Sequence, residues 1–265
     1  MELGLKDKVV LITGGSGGLG RPLARAFADE GARVALTYLS RVENAKAVAA
    51  EIAEAGGEAL PVRLDLTDAD SVRAAVAEVR DAWGGIDALV VNASASGGPS
   101  PHAPAFDEIP AERWLPPLRA EVEGAFHTVQ ATLPAMKPRG GGRIVFMSAA
   151  IVQRGLKGAE GYAASKSALH GLSRTLGTEL FEHGILSNCV APGPVVTEGL
   201  LEKLPEEVRD RVAGLDAEGA RAALNKAMPF LHFSTVADVV NTTLFLASPA
   251  NGNITGNVVY VDGGH

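Results

Sequence analysis

The sequence predicts an α/β fold, a doubly wound parallel sheet with helices on both faces, from three observations. Short apolar runs, each too brief for a buried helix, recur along the chain. They are continuously apolar rather than alternating, which suits strands covered on both faces of a parallel sheet. Stretches of helical period separate them, so that strand and helix alternate at roughly thirty residues per βα unit. No Pro/Gly/Ser linker divides the 265 residues, and one domain over residues 1–265 is expected.

In chain order, Val9-Val10-Leu11-Ile12 predicts the first strand and Arg21–Glu30 the first helix. Val34-Ala35-Leu36 and Val42–Ala55 form the second unit, Ala59-Leu60-Pro61-Val62 and Ala69–Trp83 the third. Ala88-Leu89-Val90-Val91 is the fourth strand. A helix follows around Trp114–Phe126, where Pro116-Pro117 is expected to kink or restart it, because interior prolines cost about 3 kcal/mol. Ile144-Val145-Phe146 is a strand. Tyr162–Glu182 is a helix whose Leu169, Leu172, Leu176 and Leu180 form one apolar stripe. Strand-like Ser187–Val190 and Val258–Val261 bracket an excursion from Thr197 to Leu231, with short helices expected at Glu198–Lys203, Pro205–Ala213 and Ala217–Ala227. So long an excursion is expected to act as a binding lid at about 197–231. Trp83, Trp114 and Phe126 are read as core or helix-packing residues, and Cys189 as a buried thiol.

Composition removes several function classes. Lys and Arg number 24 against 31 Asp and Glu, a formal charge of −7, which argues against a nucleic-acid or anionic-membrane surface. Cys189 is the single cysteine, so neither an intrachain disulfide nor a cysteine-built zinc site is available. His127, His170, His183, His232 and His265 show no ligand spacing, and no metal site is expected. The first residues mix charge signs without a signal-type apolar core, and the charge-free stretch Ala88–Phe106 is full of Ser, Gly and Pro. A cytoplasmic protein without a membrane span is expected.

Chemistry enters at Thr13-Gly14-Gly15-Ser16-Gly17-Gly18-Leu19-Gly20, between the first strand and its helix. Glycines there allow a tight turn and the close approach of backbone amides to a pyrophosphate at the positive helix end. Together with Asn92-Ala93 after strand four, Tyr162-x-x-x-Lys166, Pro192-Gly193 after strand six and the ending Gly256–Gly264, this order of motifs resembles the short-chain dehydrogenase/reductase family over nearly the whole chain. The resemblance implies a seven-stranded parallel sheet and nicotinamide chemistry at the strands' carboxyl ends. It implies cofactor contacts at Gly14, Ser16, Gly18, Leu19, Asn92, Ala93, Tyr162, Lys166, Pro192, Gly193, Val195 and Thr197, and an adenine-contacting pair at Asp65 and Leu66. It also implies a homo-oligomer, a tetramer or dimer, through the helices around Trp114–Met136 and Tyr162–Glu182, where Leu118, Val122 and Phe126 offer an apolar strip.

At the end of strand two, NAD sites usually carry an acidic residue for the ribose 2′-hydroxyl, which would repel a 2′-phosphate. Here stand Tyr38, then Ser40 and Arg41, whose hydroxyl and guanidinium suit a phosphate dianion, so NADP(H) is expected over NAD(H). Gly17 removes a second cation that NADP-using relatives often carry.

Tyr162 and Lys166 lie one helical turn apart on one face. An ammonium beside the phenol favours the phenolate and fits Tyr162 for general acid/base work. By resemblance, Tyr162 exchanges a proton with the substrate oxygen of a small or polycyclic organic molecule while Lys166 also holds the nicotinamide ribose. Two positions depart from the family. Its serine, thirteen residues before the tyrosine, is Ala149, with Ser148 next to it as the candidate replacement if the backbone is re-registered. Its asparagine is Glu121, and Val91-Asn92-Ala93-Ser94 replaces Asn-Asn-Ala-Gly. The enzyme then reduces a ketone with other donors (Ser94, Ser96 or Ser148), acts on a C=N or other bond or a cationic substrate stabilised by Glu121, or is a cofactor-binding protein with little catalysis. The retained Tyr162/Lys166 pair favours an enzyme. Glu121 beside Lys166 would raise the Tyr162 pKa; it would have no such effect if it faced solvent. His102 is read as a solvated loop residue.

Overall fold

The computed structural model describes residues 2–94, 104–202, 204–228 and 231–264, with the side chain of Glu198 excepted. The chain opens β1 (Val9–Ile12), α1 (Gly20–Asp29), β2 (Arg33–Tyr38), α2 (Val42–Glu54), β3 (Glu58–Arg63), α3 (Ala69–Trp83) and β4 (Ala88–Val91). It continues α4 (Ala111–Met136), β5 (Gly142–Met147), α5 (Ile151–Arg154), α6 (Glu160–Glu179) and β6 (Ile185–Pro192). It closes with α7 (Glu198–Leu201), α8 (Glu206–Val212), α9 (Ala217–Ala227), α10 (Val236–Leu246) and β7 (Val258–Val261).

The strands form one seven-stranded sheet in the order β3-β2-β1-β4-β5-β6-β7, and every pairing is parallel. Side chains alternate between the faces. Val10 and Ile12 pack with Leu23 and Phe27 of α1, Val48 and Ile52 of α2, and Val239 and Leu244 of α10. Val9 and Leu11 pack on the other face with Val72 and Val79 of α3, Val129 and Met136 of α4, and Leu169 and Leu176 of α6. The doubly wound architecture read from the apolar runs is therefore the observed one. The order reverses between β1 and β4, and open sheets of this kind have their ligand crevice at such a point, at the strands' carboxyl ends.

Three expectations are corrected. Pro116 and Pro117 do not restart a helix, because α4 runs unbroken from Ala111 to Met136. The carbonyls they leave without an i+4 donor belong to Glu112 and Arg113, two exposed residues of the first turn, where solvent can satisfy such groups. Phe126 is not core but 47% exposed on α4, its ring edge-on to His127. The helix expected over Tyr162–Glu182 begins two residues earlier and ends at Glu179, and a single 3-10 turn follows at Phe181–His183.

The excursion after β6 builds a small core of its own. Val212, Ala220, Leu224 and Phe233 are buried together, and Val196, Leu200, Leu201 and Met228 pack around them. The Thr197 hydroxyl accepts from Leu200 N at 3.2 Å, and Val195 bridges Ser234 in parallel register. Among the described residues no helix is long and apolar enough to cross a membrane.

The start of α1 tests how tightly the fold constrains the glycine turn. A Cβ on Gly20 would lie 2.1 Å from the Gly14 carbonyl oxygen, a backbone atom with nowhere to move. Gly20→Ala is expected to destabilise the protein by about 1–3 kcal/mol, read by thermal melting. An unchanged melting temperature would show that the turn relaxes freely.

Candidate active site

The crevice is stitched before any ligand arrives. The Thr13 hydroxyl accepts from the amides of Asn92 and Ala93, both at 2.9 Å, and the Asn92 amide group donates to the carbonyls of Thr13 and Gly14 at 3.0 and 3.3 Å. Gly14 has φ +66°, and a Cβ there would press on Ala93 Cα at 3.0 Å, so this glycine serves both the turn and the strand contact. Farther along, Gly17 and Gly18 face open space, with no atom within 4 Å of where a Cβ would stand. The α1 N-terminus has no side-chain cap and no acidic residue in its first turn. Its first amides, Gly20 N and Arg21 N, turn back on the Gly17 carbonyl at 2.9 and 3.4 Å, and Pro22 has none, so an anion here would meet the amides of the glycine turn at the positive end of the helix. Gly14, Ser16, Gly18 and Leu19 thus line an open cradle.

Beside the cradle, β2 ends at Tyr38, and Ser40 and Arg41 are exposed at the start of α2. Among the described residues no carboxylate pairs with the Arg41 guanidinium. The β2–β3 register sets Arg63 directly across from Tyr38, on the same face of the sheet. Arg63 is a second exposed cation that motif reading missed, and the alternation of β3 against β2 is the signal that would have found it. Asp65 accepts from the amide and hydroxyl of Thr67 at 2.9 and 2.7 Å, and these bonds hold its carboxyl below the usual range. Leu66 meets α4 at Gly124, where a Cβ would lie 2.8 Å from the Leu66 Cβ. On the far side, Pro192 ends β6 and Gly193 N donates to Val261 O at 2.9 Å, with Val195 and Thr197 leading into the excursion.

Tyr162 and Lys166 project from α6, and the Lys166 Nζ stands 5.8 Å from the Tyr162 ring centroid. The ammonium is buried. It donates to Met147 O at 2.9 Å and forms a short ion pair with Glu121 of α4. The second Glu121 oxygen accepts from Ser94 Oγ at 2.7 Å. Glu121 therefore faces inward and not into solvent. The Tyr162 phenol is pushed up to about 12, first by burial and then by the Glu121 charge, and its oxygen has no hydrogen-bond partner among the described residues.

Ser148 is not brought to Tyr162. It shares the parity of Ile144 and Phe146, which face α4 and α6, and its hydroxyl meets His170 Nε2 at 2.6 Å and the Lys166 carbonyl at 3.3 Å. His170 lies two turns beyond Tyr162, about 12 Å along the helix axis. Burial, and then the charge of Arg174, keep its imidazole neutral by lowering its pKa. Ala149 is buried at the turn after β5 and carries no donor. Ser96 and His102 lie outside the described residues.

The family model described as enoyl-(acyl carrier protein) reductase matches residues 14–265. The 3-oxoacyl-[acyl-carrier-protein] reductase FabG of Staphylococcus aureus is 30% identical over 257 residues, 97% of each chain. This chain is a short-chain dehydrogenase/reductase. Among solved structures of the family, 7α-hydroxysteroid dehydrogenase complexed with NADH and 7-oxo glycochenodeoxycholic acid superposes with a TM-score of 0.84 at 28% identity, covering 99% of this chain and 96% of that one. Levodione reductase gives 0.82 at 29% identity over 98% and 97%. As a short-chain dehydrogenase/reductase the protein is of the oxidoreductase class, and the Gly-rich turn, Asn92 and the Tyr162/Lys166 pair stand around one crevice of its sheet.

Proposed function

We propose that this short-chain dehydrogenase/reductase transfers a hydride between NADP(H) and a carbonyl/alcohol pair of a small or polycyclic organic substrate, with Tyr162 as general acid/base. The observation that carries the reading is the Tyr162 hydroxyl, without a hydrogen-bond partner among the described residues, one turn from a buried Lys166 that is ion-paired to Glu121. The residues present fit a dinucleotide: an open cradle at Gly17 and Gly18, an uncapped helix start, and Lys166 with one of its three ammonium protons uncommitted by Met147 and Glu121. When bound, the cofactor supplies or accepts the hydride. The chain's own work is to hold the substrate oxygen at Tyr162 Oη, pass one proton across that bond and fix the ribose with Lys166.

Preference for NADP(H) follows from charge. Tyr38 is no carboxylate, and Arg41 and Arg63 stand near it; the Arg63 charge is shared with Asp65, while among the described residues no carboxylate pairs with Arg41. Arg41→Ala is expected to weaken NADPH binding by about 1.5–3 kcal/mol while leaving NADH nearly unaffected. Equal affinity of the unmodified protein for the two cofactors would sink the assignment.

The apolar lining of the excursion, including Val196, Leu200, Leu201 and Leu231, supports its action as a lid over an apolar substrate. The half-buried Leu118 and Val122 and the exposed Phe126 support a homo-oligomer through α4. Both Glu121 oxygens are engaged by Lys166 and Ser94, which weighs against a cationic substrate at that carboxylate. Ala149 favours a second reading, a cofactor-binding protein with little turnover. NADPH oxidation with a panel of ketones separates them: turnover supports the enzyme, and tight NADPH binding without turnover supports the rival.

A further inference from the structure

Two positions that stand apart in the sequence, Ser94 after β4 and Glu121 on α4, form one buried unit with Lys166. The Glu121 and Lys166 side chains are 3% and 4% exposed, so neither charge is solvated and each is compensated by the other. Ser94 Oγ holds the second carboxylate oxygen at 2.7 Å, and the Met147 carbonyl holds the ammonium at 2.9 Å. The carboxylate is thus fixed at both oxygens, with its partner cation directed along α6 toward Tyr162.

Among the described residues the other ionisable groups around this cluster are few. From α6 come Tyr162 itself, His170, which is bound to Ser148 and whose pKa is lowered by burial, and Arg174, whose charge acts on His170 and Cys189. From β6 comes Cys189, whose thiol burial pushes up to about 12. At this point β5 contributes only the Met147 carbonyl and the Ser148 hydroxyl, and the loop after β4 contributes Ser94. No second carboxylate acts on Tyr162. Lysine alone would draw the phenol toward phenolate; lysine in contact with a carboxylate presents a neutral pair, and the phenol keeps its proton.

We propose that Glu121, oriented by Ser94, is a positioning residue that cancels the Lys166 charge at Tyr162 and so keeps the phenol protonated in the resting site, ready to protonate a substrate oxygen and needing alkaline pH before it takes a proton from an alcohol. The inference rests on Tyr162 as the acid/base and deepens that reading to carbonyl reduction. In that direction the carbonyl carbon gains the hydride, the π pair moves to oxygen, and oxygen takes the proton from Tyr162 Oη, which solvent then restores. Oxidation needs the phenolate first, and its rate rises only at alkaline pH.

The test reads the phenol directly. Ultraviolet titration of the cofactor-free protein, with Tyr162→Phe as the blank, follows Tyr162 in the wild type, Glu121→Gln and Ser94→Ala. Glu121→Gln is expected to lower the Tyr162 transition by about one pH unit, so that below both transitions the phenolate fraction rises about tenfold. Ser94→Ala, which removes the Ser94 bond to one carboxylate oxygen, moves it the same way by less. With cofactor and an alcohol, the alkaline limb of the oxidation pH–rate profile moves down by a matching amount in Glu121→Gln, and so does the pH at which reduction begins to fall. Titrations of both variants that superimpose on the wild type, with native melting, overturn the proposal. If Glu121→Gln fails to fold, Ser94→Ala alone decides, and an unshifted phenol overturns it. A shifted phenol in a protein that turns over no substrate upholds the electrostatic role of Glu121 and removes the catalytic reading of Tyr162 instead.

Discussion

Tyr162→Phe abolishes turnover while cofactor affinity and melting temperature stay at wild-type values. The substitution removes one oxygen, and that oxygen bonds to nothing among the described residues, so the fold loses no contact with it. On the proposed role, what is lost is the proton donor. General acid/base groups contribute about 10²–10⁴ in rate, and a fall in kcat of that size is the expected result. Lys166 and Glu121 remain in place, so binding measured by fluorescence titration with NADPH separates chemistry from capture. A variant that keeps its rate within a few-fold draws its proton from another group, and the assignment of Tyr162 is then wrong.

Ala149→Ser is expected to raise the rate. The turn after β5 presents no hydroxyl toward a developing oxyanion, because Ala149 carries none and Ser148 faces α6, bound to His170. One preorganised donor at an oxyanion is worth about 10²–10³ in rate elsewhere, and a gain of that order on small ketones is expected if Tyr162 is already aligned. The gain belongs in kcat rather than in KM, since the bond strengthens as charge develops. No gain would show that position 149 does not meet the substrate oxygen.

The limits of sequence reading fall where local rules meet a register or a neighbour. The strands were legible because β1, β4, β5 and β6 are buried on both faces, and continuous apolarity has no other use at that length. Pro116-Pro117 misled because the proline rule counts lost amide donors without asking whether the stranded carbonyls can reach water, as those of exposed Glu112 and Arg113 can. Ser148 misled for a reason of period two: one residue decides between the α6 side and the crevice, and only the shared parity with Ile144 and Phe146 settles it. Phe126 followed the rule that large aromatics are inside, and α4 leaves it out. In the candidate site, the glycine turn and the Tyr162/Lys166 spacing were readable as local patterns. Arg63 and the Ser94–Glu121 bond were not, because each depends on a pairing between segments distant in the chain.

The Thr13–Asn92 stitching has a consequence for how a nucleotide is received. With the amides of Asn92 and Ala93 held by a threonine hydroxyl, and Asn92 in turn holding two carbonyls of the glycine turn, the crevice is rigid ahead of any encounter. Ordering entropy on association therefore falls on the excursion, which carries its own small core and joins the sheet side through the Val195–Ser234 bridge. On the proposed reading, discrimination between cofactors is then a lock-like event at the adenosine end, expressed in equilibrium affinity, and retention of a captured ligand is a separate property of the excursion, so that the two can be altered independently.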